Sequence, residues 1–312
     1  MGSKPHAHVS VLADAVIGWL EVKPTGVYVD CTAGAGGHSA LIASRLTEGR
    51  LVALDRDPVA LALAKERLST YPNATVVHKN YSQLREALHE LSIDQVDGIL
   101  IDAGLSSMQI DDAGRGFTFQ AEGPLDMRMD TTTGPTAAEF IRDASEAELA
   151  AFLREYGDIG PAKRIASAIV RRSQAGHMDT TADLRAAVVD ALAFVQGIPD
   201  EVRTVFQALR MAVNDELASL KQALERAIDV LAPNGRLVVI SFHSGEDRVV
   251  KNVLRDAARP KRDLFPDGRV RATHPPRLKI LTPKPVQPDE TEIRQNPRAH
   301  SARLRAAQRL GE

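Results

Sequence analysis

The residues Val27-Tyr28-Val29-Asp30-Cys31-Thr32-Ala33-Gly34-Ala35-Gly36-Gly37-His38-Ser39, and about one helix later Leu51-Val52-Ala53-Leu54-Asp55-Arg56-Asp57, decide the fold. The first run is apolar enough for a strand buried in a parallel sheet, and it breaks into a glycine-rich turn. Glycine tolerates positive φ and lets a ligand come close to the backbone. Leu41, Ile42 and Leu46 then recur as on a helix, and Leu51 to Leu54 reads as a second strand ending in Asp55. An acid at the end of the second strand, about 20 residues beyond the glycines, is placed to hold ribose hydroxyls. The expectation is a nucleoside-type cofactor on a doubly wound α/β sheet.

Outward from this stretch the alternation continues. Apolar spacing predicts an amphipathic helix over His8–Leu20. Asp57-Pro58 reads as an N-cap followed by proline at the first helical position. Thr75–His78 is a third strand, Ser82–Leu91 a helix, and Val96–Asp102 a fourth strand that again ends in an acid. Strand and helix in strict succession imply a parallel sheet with right-handed crossovers. After Asp102 the pattern stops. Gly104–Asp130 reads as loop. Ala137–Arg142, Glu146–Tyr156, Ala162–Gln174 and Thr181–Val195 then read as helices with no strand between them, an all-helical insertion. Glu201–Leu231 is a long helical pattern that can hold two helices. Arg236–Phe242 is the next strand, Gly245–Arg259 a helix, Arg277–Leu281 a late antiparallel edge strand, and Pro297–Leu310 a basic helical tail.

A length of 312 residues, 44% hydrophobic and 26% charged, suits a globular chain of about two domains. Cys31 is the only cysteine, which excludes an internal disulfide and fits a reducing, cytoplasmic setting. It reads as a small packed residue under the glycine turn rather than a nucleophile. No apolar run approaches membrane-spanning length, so no membrane partner is expected. No Cys, His or Asp spacing suggests a metal site. The net charge of −2 hides an asymmetry: Arg255–Glu312 holds 14 Lys and Arg against 7 Asp and Glu, leaving 25 against 34 for the rest. A basic C-terminal part on an acidic body is a candidate surface for a polyanion, although an ordinary solvated tail has the same composition.

The glycine turn admits two cofactors. A dinucleotide fold uses G-x-G-x-x-G, with a pyrophosphate on the helix N-terminus. Gly34-x-Gly36 is present, but Ser39 stands at the last glycine position. Asp30 would also place a negative charge near the pyrophosphate. The same charge suits S-adenosylmethionine, whose amine and sulfonium are cationic. Asp30, Asp55 and Asp102 at three successive strand ends favour S-adenosylmethionine. A glycine-rich turn flanked by capping acids remains the plain structural reading.

Several longer segments carry a specific resemblance. They are Asp30-x-Thr32-x-Gly34-x-Gly36-Gly37-His38-Ser39, Asp55-Arg56-Asp57-Pro58, Asp102-x-Gly104-x-Ser106-Ser107-x-Gln109, Arg115-Gly116-Phe117, Gly123–Asp130, Phe206–Arg210, Ser241–Arg248 and Asn296–Ala299. In this order, over nearly the whole chain, they resemble the RsmH (MraW) family of bacterial 16S ribosomal RNA cytosine-N4 methyltransferases. The resemblance implies a class I, Rossmann-like S-adenosylmethionine-dependent methyltransferase domain made of residues 6–112 and 205–312. Residues 113–204 would be a helical insertion for substrate recognition. It implies 16S rRNA or the small ribosomal subunit as partner, and methylation of a cytidine in the decoding centre, the P-site region. A homodimer is an assembly this reading leaves open. Carried over residue by residue, the cofactor contacts are Gly36, Gly37, His38, Asp55, Tyr81, Asp102 and Gln109. Tyr81 stands where the family usually has Phe.

Cytosine N4 is conjugated into the ring and is a poor nucleophile. The protein must therefore align it with the methyl donor and guide a departing proton. Asp102 is the leading catalytic candidate, and His243, at the end of the fifth strand, is a second candidate for substrate contact or proton relay. His243 also reads as a structural histidine. Asp126 and Asp130 could position a loop over the base or simply pair with Arg128 or Arg115. A flipped base would need a stacking partner, for which Phe117, Phe119 and Phe242 are candidates, though all three could be core. Backbone affinity would come from Lys163, Arg164, Arg171, Arg172 and the basic residues of Arg255–Arg309. Two other functions are weighed: a nicotinamide-dependent oxidoreductase, and a non-catalytic RNA-binding ribosome assembly factor that keeps the cofactor pocket.

Overall fold

A computed structural model of the chain describes residues 10–264 and 269–311. In chain order the elements are α1 (Ala13–Leu20), β1 (Val27–Asp30), α2 (Gly37–Ala43), β2 (Arg50–Asp55), α3 (Pro58–Leu68), β3 (Ala74–His78), a 3-10 turn (Tyr81–Gln83), α4 (Leu84–Glu90) and β4 (Val96–Asp102). Then come α5 (Ser107–Asp111), α6 (Ala137–Asp143), α7 (Glu146–Gly157), α8 (Ala162–Gln174), α9 (Thr181–Ala191), α10 (Glu201–Val213) and α11 (Glu216–Val230). The chain finishes with β5 (Leu231–Ser241), α12 (Ser244–Ala257), β6 (Lys261–Leu264), β7 (Val270–His274), β8 (Leu278–Ile280), α13 (Glu290–Gln295) and β9 (Arg303–Arg309). No helix among the described residues is long and apolar enough to cross a membrane.

Two compact units emerge, one up to Gly104 and from Leu217 onward, the other Leu105–Glu216. The first is the α/β unit. Its seven-stranded sheet has the order β3-β2-β1-β4-β5-β9-β8. Strands β1 to β5 run parallel, and β9 is antiparallel to both β5 and β8. The strand order reverses between β1 and β4, the point at which open α/β sheets bind ligands beyond the carboxyl ends of their strands. Asp30, Asp55 and Asp102 are the last residues of β1, β2 and β4.

The near-continuous apolar runs follow from burial on both faces. Val29, Val52, Leu54, Ile99, Ile101, Leu237 and Val239 join one core with Leu84, Leu88, Leu224 and Val250. Their neighbours Tyr28, Leu51, Ala53, Leu100, Val238 and Ile240 join the other with Val16, Leu20, Ile42 and Ala64. Cys31 belongs to the first core, and burial pushes its thiol well above the usual range, so it carries no thiolate. Local signals hold up well. Asp57 caps α3 by accepting the Val59 N–H at 2.9 Å, with Pro58 next. The helix expected over His8–Leu20 begins at Ala13, while His8 and Val9 lie outside the described residues. The helix expected from Ser82 is instead capped by Asn80, and its first turn is 3-10.

The tail is the main correction. Arg303–Arg309 is not helical but is an interior strand of the sheet. Ala, Gln and Arg favour helix intrinsically, yet tertiary context overrides propensity. Leu304 and Ala306 enter one core and Ala307 the other. Arg305, only 9% exposed, is neutralised by Asp247 through contacts of 2.6 and 3.1 Å. Small side chains on both faces let β9 lie under helices on either side. The edge strand expected at Arg277–Leu281 appears as β8, and β6 and β7 form a separate two-stranded sheet that the sequence did not suggest.

The second unit is helical, as its sequence pattern suggests, and extends to Leu105 and Glu216, beyond 113–204 at both ends. Thr136, Ser145 and Thr180 open α6, α7 and α9 in reciprocal capping boxes with Glu139, Glu148 and Asp183. Each such cap typically contributes about 1 kcal/mol. Ile141, Leu149, Leu153, Ile165, Ile169, Leu184, Val188, Val202, Val205 and Leu209 form one core, which also takes in Leu125 and Met127 from the preceding loop. That loop is irregular except for α5 and a 3-10 turn at Ala113–Arg115.

Candidate functional site

At the carboxyl edge of the α/β unit the three aspartates have different tasks. Asp30 is fully buried and locally engaged: Ser39 Oγ donates to its Oδ2 at 2.6 Å and the Thr32 N–H to its Oδ1 at 3.1 Å. Burial pushes its carboxyl up, opposed by His38, Ser39 and Thr32. It braces the glycine turn from beneath rather than presenting itself to a ligand.

The turn itself is built on Asp55. The Gly34 N–H donates to its Oδ2 at 2.7 Å and the Asp57 N–H to its Oδ1 at 2.8 Å. Burial, with Asp57 and Asp30 nearby, pushes Asp55 up to about 6 against these two donors. Each carboxylate oxygen has a further lone pair, so ribose hydroxyls can still be accepted. Gly36 precedes α2 with φ of 78°, a left-handed conformation, and a Cβ there would come within 3.3 Å of Ala64 Cα. A Cβ at Gly37 would overlap Ser10 Oγ. The glycines are therefore needed for packing.

Asp102 is held by its backbone, whose N–H donates to Thr32 Oγ1 at 2.7 Å. Its Oδ2 lies 3.6 Å from His38 Nε2, too long for a hydrogen bond. Asp102 Oδ1 and both ring nitrogens of His38 are buried with no hydrogen-bond partner among the described residues. Burial alone would hold the His38 ring neutral; Asp102, then Asp30 and Glu292, outweigh it and raise the imidazole above its ordinary range. Buried polar atoms without partners are rare and call for an explanation. Here they are a carboxylate oxygen and an imidazole ring at the switch point of the sheet, where Asp102 ends β4. A ligand that brings its own donors and positive charge satisfies Asp102; a pyrophosphate does not.

His243 closes β5 and caps α12. Its Nδ1 accepts the N–H groups of Gly245 and Glu246 at 3.2 and 3.3 Å, which assigns the ring proton to Nε2. Glu246 Oε2 returns the bond by accepting the Phe242 and His243 N–H groups at 2.8 and 3.2 Å. The side chain thus has a positioning task in the loop. That loop abuts the end of β4, since the Ala103 N–H donates to Ile240 O at 2.9 Å and a Cβ at Gly104 would sit 3.2 Å from the Phe242 ring. Tyr81 opens the 3-10 turn after β3, half-buried with its ring packed on the sheet core.

The remaining sequence candidates fall in the helical unit. Gln109 is buried, and its Oε1 accepts the Ser106 N–H at 2.9 Å in the cap of α5. Asp126 grips Arg128 bidentately at 2.8 Å for each bond, and Arg115 Nη2 donates to the carbonyls of Arg128 and Met129 at 3.0 and 2.9 Å. Asn214 fixes the same loop, donating to Met127 O at 2.7 Å and accepting the Met129 N–H at 2.8 Å. The distinctive Gly123–Asp130 segment is thereby bolted into the helical core. Phe117 is buried there, and Phe119 packs edge-on against Phe206 at 5.8 Å. Arg172 pairs with Asp190 at 2.7 Å, while Lys163, Arg164 and Arg171 are exposed. Thr32 and Glu246 fall within the quoted motifs but carry no assigned role there, and Asn214 was not singled out; Thr32 and Asn214 act on backbone distant in sequence, which no local pattern reveals, and Glu246 acts in the cap of α12.

Comparison with known proteins bears on this arrangement. The model of the MraW methylase family matches residues 5–310. The chain is 44% identical to the ribosomal RNA small subunit methyltransferase H of Heliobacterium modesticaldum, over 97% of this chain and 98% of that protein. It is 46% identical to the protein of the same name from Sorangium cellulosum, over 97% and 91%. Among solved structures, an rRNA methylase from Streptococcus thermophilus aligns over 98% of this chain and 100% of its own, with a TM-score of 0.45 and 13% identity.

Proposed function

The chain belongs to the MraW methylase family, and we propose that it transfers a methyl group from S-adenosylmethionine to the exocyclic N4 of a cytidine in the decoding centre of 16S ribosomal RNA. The observation that carries the reading is the buried, unpartnered Oδ1 of Asp102 at the switch point of the sheet, beside His38. Gly36, Gly37, His38, Asp55, Tyr81 and Asp102 would hold the cofactor. When bound, S-adenosylmethionine supplies an electrophilic methyl group on a sulfonium.

The protein's share of the chemistry is orientation. Asp55 accepts the ribose hydroxyls. Asp102 accepts a hydrogen from N4, which turns the nitrogen lone pair outward and gives the departing proton a place to go. His38 Nε2 stands 3.6 Å from that carboxylate, which raises the imidazole above its ordinary range. His243 and Glu246 hold the loop beside β4 in place. No covalent nucleophile is needed for methylation of an amine, in keeping with the inert, buried Cys31. The reaction takes place where ribosomes are, in the cytoplasm.

The test uses small subunits from cells lacking the protein. Incubation with the pure protein and S-adenosylmethionine, followed by mass spectrometry of the decoding-region fragment, should show one methyl group added to one cytidine base. An unmodified fragment, or a methyl group on another base, overturns the reading.

A further inference from the structure

The helical unit carries an aromatic ring that its core does not use. Phe194, in the loop 193–198 between α9 and α10, is 69% exposed. It is the only exposed Phe, Tyr or Trp among the described residues. Phe117 is buried, and Phe119 and Phe242 are half-buried. Val195 and Ile198, exposed as well, accompany Phe194 in the same loop. Single apolar residues on a surface need no explanation, but three within five residues do. The loop is anchored at both ends. Leu192 and Pro199 are buried, and the Val195 N–H donates to Leu192 O at 2.8 Å.

One face of the ring is covered. The Arg164 guanidinium, on the first turn of α8, lies 5.2 Å from the Phe194 ring centroid, within cation–π range. Most of the side chain is still exposed, so the opposite face of the ring is open to solvent. Helix α8 holds Lys163, Arg164, Arg171 and Arg172 and no carboxylate. Arg164 and Arg171 are seven residues apart, so they share one line of the helix about 10 Å long. Both are exposed. Arg172 is occupied by Asp190 at 2.7 Å. Asp200 and Glu201, which follow the loop in sequence, stand at the N-terminus of α10, where acids offset the helix dipole.

We propose that Phe194 is a stacking platform for an unpaired base of the substrate RNA, with Arg164 backing the ring and Arg171 meeting a phosphate further along the strand. The proposal rests on the ribosomal RNA reading above and deepens it. Proteins hold single-stranded nucleic acid by this combination, cations that follow the backbone and an aromatic ring that takes a base. Every base has a π-face, so the platform needs no particular sequence. A bare apolar loop by itself would suit a protein partner or a second copy of the chain. The line of cations on α8, with no acid among them, selects a polyanion. The platform acts in binding, and methyl transfer itself does not depend on it.

The test compares the full chain with its Phe194→Ala, Phe194→Leu and Phe194→Trp variants on small subunits from cells lacking the protein. KM for the subunit should rise roughly tenfold in Phe194→Ala and Phe194→Leu, the scale of one lost base stack. Their kcat should be unchanged, the signature of lost uniform binding. Phe194→Trp should keep the wild-type KM. Arg171→Gln should lower the slope of log affinity against log salt by about 0.7, the value for one phosphate of a single strand, whereas Phe194→Ala should leave the slope alone. Thermal unfolding should match wild type throughout, because residue 194 is exposed. Trp19 is the only tryptophan of the chain, so Trp19→Phe/Phe194→Trp carries its one indole in the loop. A short oligoadenylate should quench that fluorescence, and an abasic ribose-phosphate oligomer of equal length should not. Equal quenching by both oligomers overturns the proposal. So does a wild-type KM in Phe194→Ala, or a KM rise that Phe194→Leu escapes, because apolar area alone would then suffice. Loss of self-association in Phe194→Ala with normal subunit KM overturns it in favour of a second copy. If wild-type protein methylates no rRNA, the rRNA reading fails, and the quenching comparison still decides the platform.

Discussion

His38 Nε2 and Asp102 Oδ2 stand 3.6 Å apart at the carboxyl edge of the sheet, and the histidine ring has no other polar partner among the described residues. Asp102 is the main group that raises the His38 imidazole against its burial. Asp102→Asn should lower kcat by about a hundredfold or more, the range for loss of a positioned proton acceptor. The same change removes the main force raising the His38 imidazole, so burial should take over and its titration midpoint, read by NMR, should fall below the ordinary histidine value. Near-normal turnover in this variant would remove Asp102 from the chemistry.

The sign of that coupling sets a stability trend. A histidine raised on folding stabilises the protein fully below its unfolded pKa, and the contribution is lost as pH rises through the folded value. Wild-type protein should therefore lose more denaturant stability than His38→Gln does between pH 6 and pH 8, in ranges of about those values for an ordinary histidine near 6.5. Equal losses would mean the ring is not charged in the native state.

Asp55 predicts the pH dependence of cofactor binding. Its carboxyl, pushed up to about 6, must be ionised to accept ribose hydroxyls. Affinity for S-adenosylhomocysteine should be flat above that pH. Below it, affinity should fall by up to about tenfold per pH unit, since a proton must first be released. Calorimetry across this range reads the effect directly. A flat profile would mean Asp55 does not face the ribose as a carboxylate.

Asp247 is held well within the ionised range because Arg305 and Arg303 outweigh the burial that would raise it. Asp247→Asn strands Arg305 inside the sheet and should destabilise the protein by about 3–5 kcal/mol in urea titrations. A lowered carboxylate contributes stability above its unfolded pKa that is lost as pH falls through the folded value, so the difference between wild type and variant should shrink under acid conditions. Replacing both partners, Asp247→Leu with Arg305→Met, should recover much of the loss.

In the helical unit, Asn214→Ala leaves Met127 O and the Met129 N–H without partners in a buried setting. Each such group costs about 1–3 kcal/mol. The expected result is a lower Tm and faster hydrogen exchange at the Met129 amide, with the helical content of the circular dichroism spectrum retained.

Much of this was legible in the chain itself, for identifiable reasons. The strands ending in Asp30, Asp55 and Asp102 announce themselves because both faces are buried and because an acid breaks each apolar run. Helices α6 to α10 do so through amphipathic spacing and capping boxes. Two kinds of fact were out of reach. Arg303–Arg309 has the composition of a helix, and only its distant partner Asp247 and its neighbours β5 and β8 make it a strand. The bonds from Thr32 to the Asp102 backbone and from Asn214 to the Met127 loop join residues 70 and 87 apart, a separation no periodicity spans.

The position of β9 has a consequence for the order of assembly. It follows every other strand in sequence, yet it lies between β5 and β8 and bonds to both. A chain emerging from the ribosome can pair β1 to β5 while the last strand is still being made, because domains fold from their N-terminal parts during synthesis. Until Arg303–Arg309 arrives, β5 has an open edge and β8 has no strand to pair with among the described residues. Completion of the sheet thus waits on the synthesis of Arg303–Arg309, and a ribosome stalled shortly before this segment releases a chain whose β5 edge is bare and aggregation-prone.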